Sequence, residues 1–143
     1  MGKLFLGKYN RTLDEKGRLQ LPAKLIGENK GPLYMLKGYE GCIAVYPEKQ
    51  FEEQMEKLSE LDWNDESNRA YIRLATSSVN EMKVDSHGRI LIGREVLDDY
   101  QLDNEVTVIG VLDHFEIWDA TAYAKYILAH GSSYESLAPR RKA

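Results

Sequence analysis

Two stretches of the chain alternate apolar and polar residues over short runs, and two others repeat apolar residues at helical spacing. Leu19 and Leu21 alternate with polar neighbours, as in a half-buried strand. Residues 4–13 suit a strand that runs into a turn at 14–17. Pro22, Ala23, Lys24 and Leu25 can open a short helix with proline at its first position. Residues 33–36 and 42–46 predict two further strands around Gly38 and Gly41. The second half predicts the same series, with strands at 82–84, 90–92, 106–109 and 115–118. Between the halves, Phe51, Met55 and Leu58 recur at helical spacing over 48–61, with acids on the opposite face. Residues 62–65 break that helix, and 67–75 resume it with Ala70, Tyr71 and Leu74. A last helix covers 121–129 and ends at His130 and Gly131. The Met and aromatic positions on these faces read as core.

The two halves also match residue by residue. Asp14-Glu15-Lys16-Gly17-Arg18-Leu19-Gln20-Leu21 aligns with Asp85-Ser86-His87-Gly88-Arg89-Ile90-Leu91-Ile92. The shared pattern is Asp-x-x-Gly-Arg followed by alternating aliphatics. Gly38 then aligns with Gly110, Tyr46 with Trp118 and Phe51 with Tyr123. Several matches in one order indicate an internal duplication. The expected fold class is α+β, with one β-rich module over 6–50, a helical linker over 51–78, a second module over 79–122, and a C-terminal helix and tail over 123–143. A module of about 50 residues buries too little surface for a robust core. Two of them should lean on each other or on other subunits.

Composition changes this picture little. With 43% hydrophobic and 29% charged residues, the 143-residue chain reads as globular. No apolar run approaches the roughly 20 residues of a membrane span. The opening Met1-Gly2-Lys3-Leu4-Phe5-Leu6 is too short for a secretory h-region. Leu6 stands where a myristoylation motif after Gly2 would carry Ser or Thr. Cys42 is the single cysteine, which excludes a disulfide framework and a thiolate metal cage. A cytoplasmic protein is expected.

Charge is more informative in its distribution than in its total of −4. Between Lys8 and Lys24 five cations face two acids. Between Glu48 and Glu66 eight acids face two lysines. A basic patch beside an acidic flank can still bind phosphates, because screening limits the reach of exposed charge to about 10 Å.

The chemistry that stands out is the pair Asp14/Arg18 and its copy Asp85/Arg89. Gly17 and Gly88 precede the arginines and suit a backbone angle that other residues resist. The aspartate can accept hydrogen bonds from turn amides and hold the guanidinium as a bidentate ion pair. Such a turn would present an arginine to a phosphate or a base edge. Each pair could equally be a turn-stabilising salt bridge. Its presence in both copies favours function, since a surface ion pair contributes only about 0–1 kcal/mol. The two turns are expected to present basic points about one module apart. Lys16, Lys8, Arg11 and His87 are further candidate DNA contacts. Lys24 and Arg94 are similar candidates, as is the basic tail Arg140, Arg141 and Lys142. His114 and His130 read as structural. An enzyme is not expected: Ser77, Ser78 and Cys42 have no evident base partner, and there is no phosphate loop, metal motif, cofactor motif or small-molecule substrate site.

The segment from Gly7 through Lys24 resembles the opening of the MraZ family of bacterial transcriptional regulators. Gly38-Tyr39-Glu40-Gly41-Cys42, His114-Phe115-Glu116-Ile117-Trp118 and the placement of the second Asp-x-x-Gly-Arg are also similar to that family. The resemblance implies duplicated AbrB-like swapped-hairpin β-barrel domains and a ring-shaped homo-oligomer larger than a dimer. It implies binding to direct repeats in double-stranded DNA, usually as a repressor, upstream of a cell-division and cell-wall gene cluster that includes its own gene. Nucleoid association follows from that. Arg18 and Arg89 inherit the DNA-facing role, and Asp14, Gly17, Asp85 and Gly88 the supporting one. One departure is Gly93, where the family usually has proline and the first copy has Pro22; a looser helix start is expected there. The competing reading is an antitoxin-like or assembly module that binds a protein partner, with the acidic linker as its contact face.

Overall fold

The computed structural model describes residues 4–27 and 31–139. Gly2 and the basic tail Arg140, Arg141 and Lys142, both considered above, lie outside the described residues. The described chain is α+β, with eight strands, all paired antiparallel, and five α-helices. The first half supplies β1 (Lys8–Thr12), β2 (Arg18–Gln20), α1 (Ala23–Ile26), β3 (Leu33–Lys37) and β4 (Ile43–Pro47). Then come α2 (Glu48–Ser59) and α3 (Glu66–Ser77). The second half supplies β5 (Asn80–Met82), β6 (Arg89–Leu91), α4 (Arg94–Asp99), β7 (Glu105–Gly110), β8 (Phe115–Asp119) and α5 (Ala120–His130).

The halves interleave. Six strands form one sheet in the order β1-β7-β8-β4-β3-β5, and β2 pairs with β6 as a separate two-stranded ribbon. The first strand of each half therefore pairs with the third strand of the other: Tyr9 lies opposite Val108, and Tyr34 opposite Glu81. Strand alternation then sorts the core into two layers. Ile43, Val45, Val106, Val108, Phe115 and Ile117 face the ribbon and pack with its Leu19 and Ile90, which are fully buried. Leu36, Ala44 and Tyr46 point to the other face, where Phe51 and Met55 of α2 cover them. Trp118 on that face packs edge-on against Tyr123 of α5. Fully burying one such large apolar side chain contributes about 1.5–3 kcal/mol, so the ribbon is anchored mainly by Leu19 and Ile90.

Local chemistry explains where elements begin and end. Asp65 and Asp119 cap α3 and α5 by accepting from the amides of Asn68 and Ala122. The first strand is shorter than residues 4–13 predict, because Gly7 takes φ +96° and breaks the extended run. Phe5 continues only as an isolated bridge to Leu112. Pro22 sits at the cap of α1 and not at its first helical residue. Gly93 caps α4 with φ +89°, an angle proline cannot adopt. α4 spans six residues against four in α1. Gly131 keeps a right-handed φ of −58° and leads into a 3-10 turn, so α5 lacks the left-handed glycine stop its sequence predicts.

Candidate functional site

The two Asp-x-x-Gly-Arg segments form the same turn twice. In the first, the Gly17 amide donates to the Asp14 carbonyl at 3.0 Å, and Gly17 has φ +79°. In the second, the Gly88 amide donates to Asp85 at 3.0 Å, with φ +78°. The positive angle read from the sequence is present in both. The Asp14 Oδ1 accepts from the amides of Lys16 at 2.9 Å and Arg18 at 2.8 Å. The Asp85 Oδ1 accepts from His87 at 2.8 Å and Arg89 at 2.9 Å. The second oxygen of each carboxylate accepts from the arginine Nε, at 2.6 Å in the first turn and 3.0 Å in the second. The pair is therefore not the bidentate clamp expected. One carboxylate oxygen shapes the backbone, and the other fixes the guanidinium by its Nε alone. Among the described residues neither arginine's terminal nitrogens have a hydrogen-bond partner.

These bonds tune the carboxylates. The Arg18 amide holds Asp14 below its ordinary value of 3.8, against an opposing effect of burial. Asp85 is lowered in the same way, chiefly by the Arg89 amide. Both stay charged wherever the guanidiniums need a counter-charge.

The ribbon links the turns, with one at each of its ends. Arg18 lies opposite Leu91, and Gln20 opposite Arg89. All four are on the face away from Leu19 and Ile90. Arg18 and Arg89 are thus diagonal neighbours, with Cα atoms about 7–8 Å apart, and not a module apart as the sequence suggested. Each turn also rests on the other half. A Cβ at Gly17 would meet the Gly93 backbone and Leu97 of α4, and one at Gly88 would meet Gln20 and Ile26 of α1. The amides of Leu21 and Ile92 donate at 3.0 Å to the carbonyls of Gly88 and Gly17 respectively.

Other candidates divide. Lys16 and His87 occupy equivalent exposed positions at the turn tips. Lys24 is exposed on α1, the helix that packs on the second turn. Arg11 shares the sheet face of Tyr9, with its guanidinium 5.7 Å from that ring. Lys8 points to the opposite face, toward Tyr123 of α5, and is not brought to the ribbon. Arg94 has a different use from the one expected. Its Nε donates to the Glu15 carbonyl at 3.2 Å, and its terminal nitrogens donate to the Asp14 carbonyl at 3.0 Å and Asn104 Oδ1 at 2.9 Å. Gln20, which the sequence reading passed over, donates from Nε2 to the His87 carbonyl at 2.8 Å. A signal for both existed: Arg94 aligns with Ala23, and Gln20 with Leu91, so each is a place where the repeats disagree.

Away from the ribbon, His114 stacks on Tyr46 and lies between Asp113 and Glu116. Burial opposes its charge, but hydrogen bonds to Glu116 and Asp113 prevail and raise it above 6.5. The fold gives Cys42 a carboxylate neighbour in Glu116. Burial and then the charge of Glu116 push its thiol up, which disfavours the nucleophilic thiolate. Ser78 ties α3 to β3 by accepting from the Lys37 amide and donating to the Ala75 carbonyl. Among the described residues no helix is long and apolar enough to cross a membrane.

Comparison with known proteins shows the family of the chain. A family model described as "MraZ protein, putative antitoxin-like" matches residues 4–74 and 76–141. Similar proteins named "Transcriptional regulator MraZ" occur in several bacteria. That of Saccharopolyspora erythraea is 37% identical over 131 residues, 92% of each chain. That of Moorella thermoacetica is 34% identical over 137 residues, 96% of each chain. That of Corynebacterium diphtheriae is 40% identical over 123 residues, 86% of each chain. With two matches that together span most of its length, the chain belongs to the MraZ family.

Proposed function

We propose that this protein is a sequence-specific DNA-binding transcriptional regulator and not an enzyme, acting as a repressor of a cell-division and cell-wall gene cluster that includes its own gene. The observation that carries this reading is the outward face of the ribbon. It presents Arg18 and Arg89 diagonally across one face, each fixed through Nε, with their terminal nitrogens directed to no protein partner among the described residues. A two-stranded ribbon fits the major groove, where arginine pairs with guanine O6 and N7. Lys16 and His87 at the tips, with Arg11 farther out, supply phosphate contacts. Asp14, Gly17, Asp85 and Gly88 hold the turns. The names of the relatives point the same way.

The exchange of strands between halves supports a pair of AbrB-like swapped-hairpin units over 6–50 and 79–122. Helical linker 51–78 and the described part of the C-terminal segment 123–143, up to residue 139, then offer surface for self-association. Leu74, Leu128 and Tyr134 are 59%, 85% and 81% exposed, apolar positions that a ring-shaped homo-oligomer larger than a dimer could cover. In such a ring the ribbons recur around one rim, so direct repeats in the operator are spaced near one helical turn, about 10–10.5 base pairs. The protein acts in the cytoplasm at the nucleoid. Titration against one repeat, several in-phase repeats and repeats separated by half a turn tests this. Tight binding to the in-phase array alone is expected from effective concentration; equal affinity for all three overturns the ring reading.

The family description favours a second reading, an antitoxin-like module with a protein partner. Its contact face would be the acidic α2 and α3. Substituting Arg18 and Arg89 would leave such a complex intact while removing DNA binding.

A further inference from the structure

We infer that Arg94 and Gln20 are positioning residues that cross-brace the two turns, so that each half of the chain sets the shape of the other half's arginine-bearing loop. The inference rests on the DNA-binding reading above and names how that site is held.

The bonds run crosswise. Arg94 opens α4 in the second half, yet all of its hydrogen bonds to backbone go to the first turn, at the carbonyls of Asp14 and Glu15. Asn104 Oδ1 accepts from its third nitrogen, Nη1, at 2.9 Å, fixing the guanidinium plane. Gln20 lies on β2 in the first half, yet its side-chain amide serves the second turn, at the His87 carbonyl and, at 3.4 Å, the Gly88 carbonyl. The carbonyls in question belong to residues within the Asp-x-x-Gly-Arg segments themselves. Inside each segment the aspartate already satisfies amides through its carboxylate. The carboxylate thus holds amides from within the segment, and the two braces add side-chain donors from the opposite half to its carbonyls. The repeats diverge at both braces, because Ala23 stands at the position of Arg94 and Leu91 at that of Gln20. Neither substitute can donate a side-chain hydrogen bond. Each turn has one brace, of different chemistry, at a different place in its partner.

Arg94 is exposed and cationic, so the rival role is direct contact with phosphate. A double-mutant cycle separates the two. Arg94→Ala is combined with Arg18→Ala and, separately, with Arg89→Ala; Gln20→Ala is treated the same way. Affinity is measured for DNA from upstream of the protein's own gene. Cross-bracing predicts that Arg94→Ala weakens binding about five- to tenfold beside intact Arg18, including in the Arg89→Ala background. It adds little once Arg18 is gone. Gln20→Ala shows the mirror pattern, silent only when Arg89 is gone. Direct contact predicts an equal further weakening in every background, which overturns the inference. Arg94→Lys keeps the charge but not the fork, and restores binding only under the contact role.

Amide exchange in the absence of DNA gives an independent reading. Arg94→Ala should speed exchange at Lys16 and Arg18 while leaving His87 and Arg89 unchanged, and Gln20→Ala the reverse. Uniform or absent change overturns the brace. If exchange follows the crossed pattern but Arg18→Ala and Arg89→Ala both bind normally, the DNA-binding reading fails and the brace stands as a purely structural device.

Discussion

The two turns share a backbone and differ in everything around it. Both have a glycine near φ +80°, an aspartate that accepts two amides, and an arginine held by Nε. The first carries Glu15 and Lys16 at its tip and is braced by the charged Arg94. The second carries Ser86 and His87 and is braced by the neutral Gln20. Even the glycines meet different surroundings. A side chain at Gly17 would press on the Gly93 backbone, but one at Gly88 would meet only the ends of Gln20 and Ile26. The geometry common to both turns is thus what presenting an arginine from this ribbon requires, and the differences show which parts were free to change after duplication.

The interior of the ribbon should show the greatest sensitivity and the least difference between halves. Leu19 and Ile90 face each other, both fully buried. Truncation of either to alanine should cost about 2–5 kcal/mol, read by urea denaturation. A loss below about 1 kcal/mol at one position, with a full loss at the other, would break the equivalence of the halves.

The glycines should separate the turns by a smaller margin. An alanine at a left-handed position costs about 1–2 kcal/mol in either turn. At Gly17 the contact with rigid backbone adds an overpacking cost that side-chain ends at Gly88 can relieve. Gly17→Ala should therefore destabilise by about 2–4 kcal/mol and Gly88→Ala by about 1–2 kcal/mol. Equal thermal shifts for the two variants would contradict this asymmetry.

Acid should find the turns alike again. The folded values of Asp14 and Asp85 lie below 3.8. Their contribution to stability is therefore complete above the ordinary carboxylate value and lost as pH falls through the folded one. The stability gap between the wild type and Asp14→Asn or Asp85→Asn should persist at pH 5–7 (roughly) and close in stronger acid. Carboxyl NMR titration that places either aspartate above 3.8 would remove its role in holding the turn. His114 gives the opposite sign and serves as a control remote from the ribbon. Its folded value is raised above 6.5, so its stabilisation is complete below that value and fades as pH rises through the folded one. A His114→Gln variant should then approach wild-type stability at alkaline pH; a gap that widens with rising pH would contradict the sign.

Much of the local structure was legible in the sequence. Alternation at Leu19 and Leu21 marked β2, the 3.6-residue spacing of Phe51, Met55 and Leu58 marked α2, and the repeated Gly-Arg marked two left-handed glycines. The partners of the strands were not legible. The sequence marks a strand at β1, but not that it pairs with β7 of the other half, since both halves offer similar strands. The same exchange hid the closeness of Arg18 and Arg89, which sequence distance alone made remote. The sequence offers Arg94 only as a candidate DNA contact, because its acceptors are backbone carbonyls about eighty residues away, and carbonyls leave no trace in a sequence pattern.

The central claim is that Arg18 and Arg89 together form the DNA-reading face. It is tested most directly by titrating the wild type, Arg18→Ala, Arg89→Ala and the double variant against upstream DNA at several salt concentrations. A guanine contact predicts a loss of about 1–3 kcal/mol for each single variant on its specific site. A phosphate contact predicts a salt slope reduced by roughly 0.9 for each phosphate no longer neutralised. The double variant should bind the upstream DNA no better than unrelated sequence. Affinity and salt slope unchanged across all four proteins, with folding intact, would contradict the account.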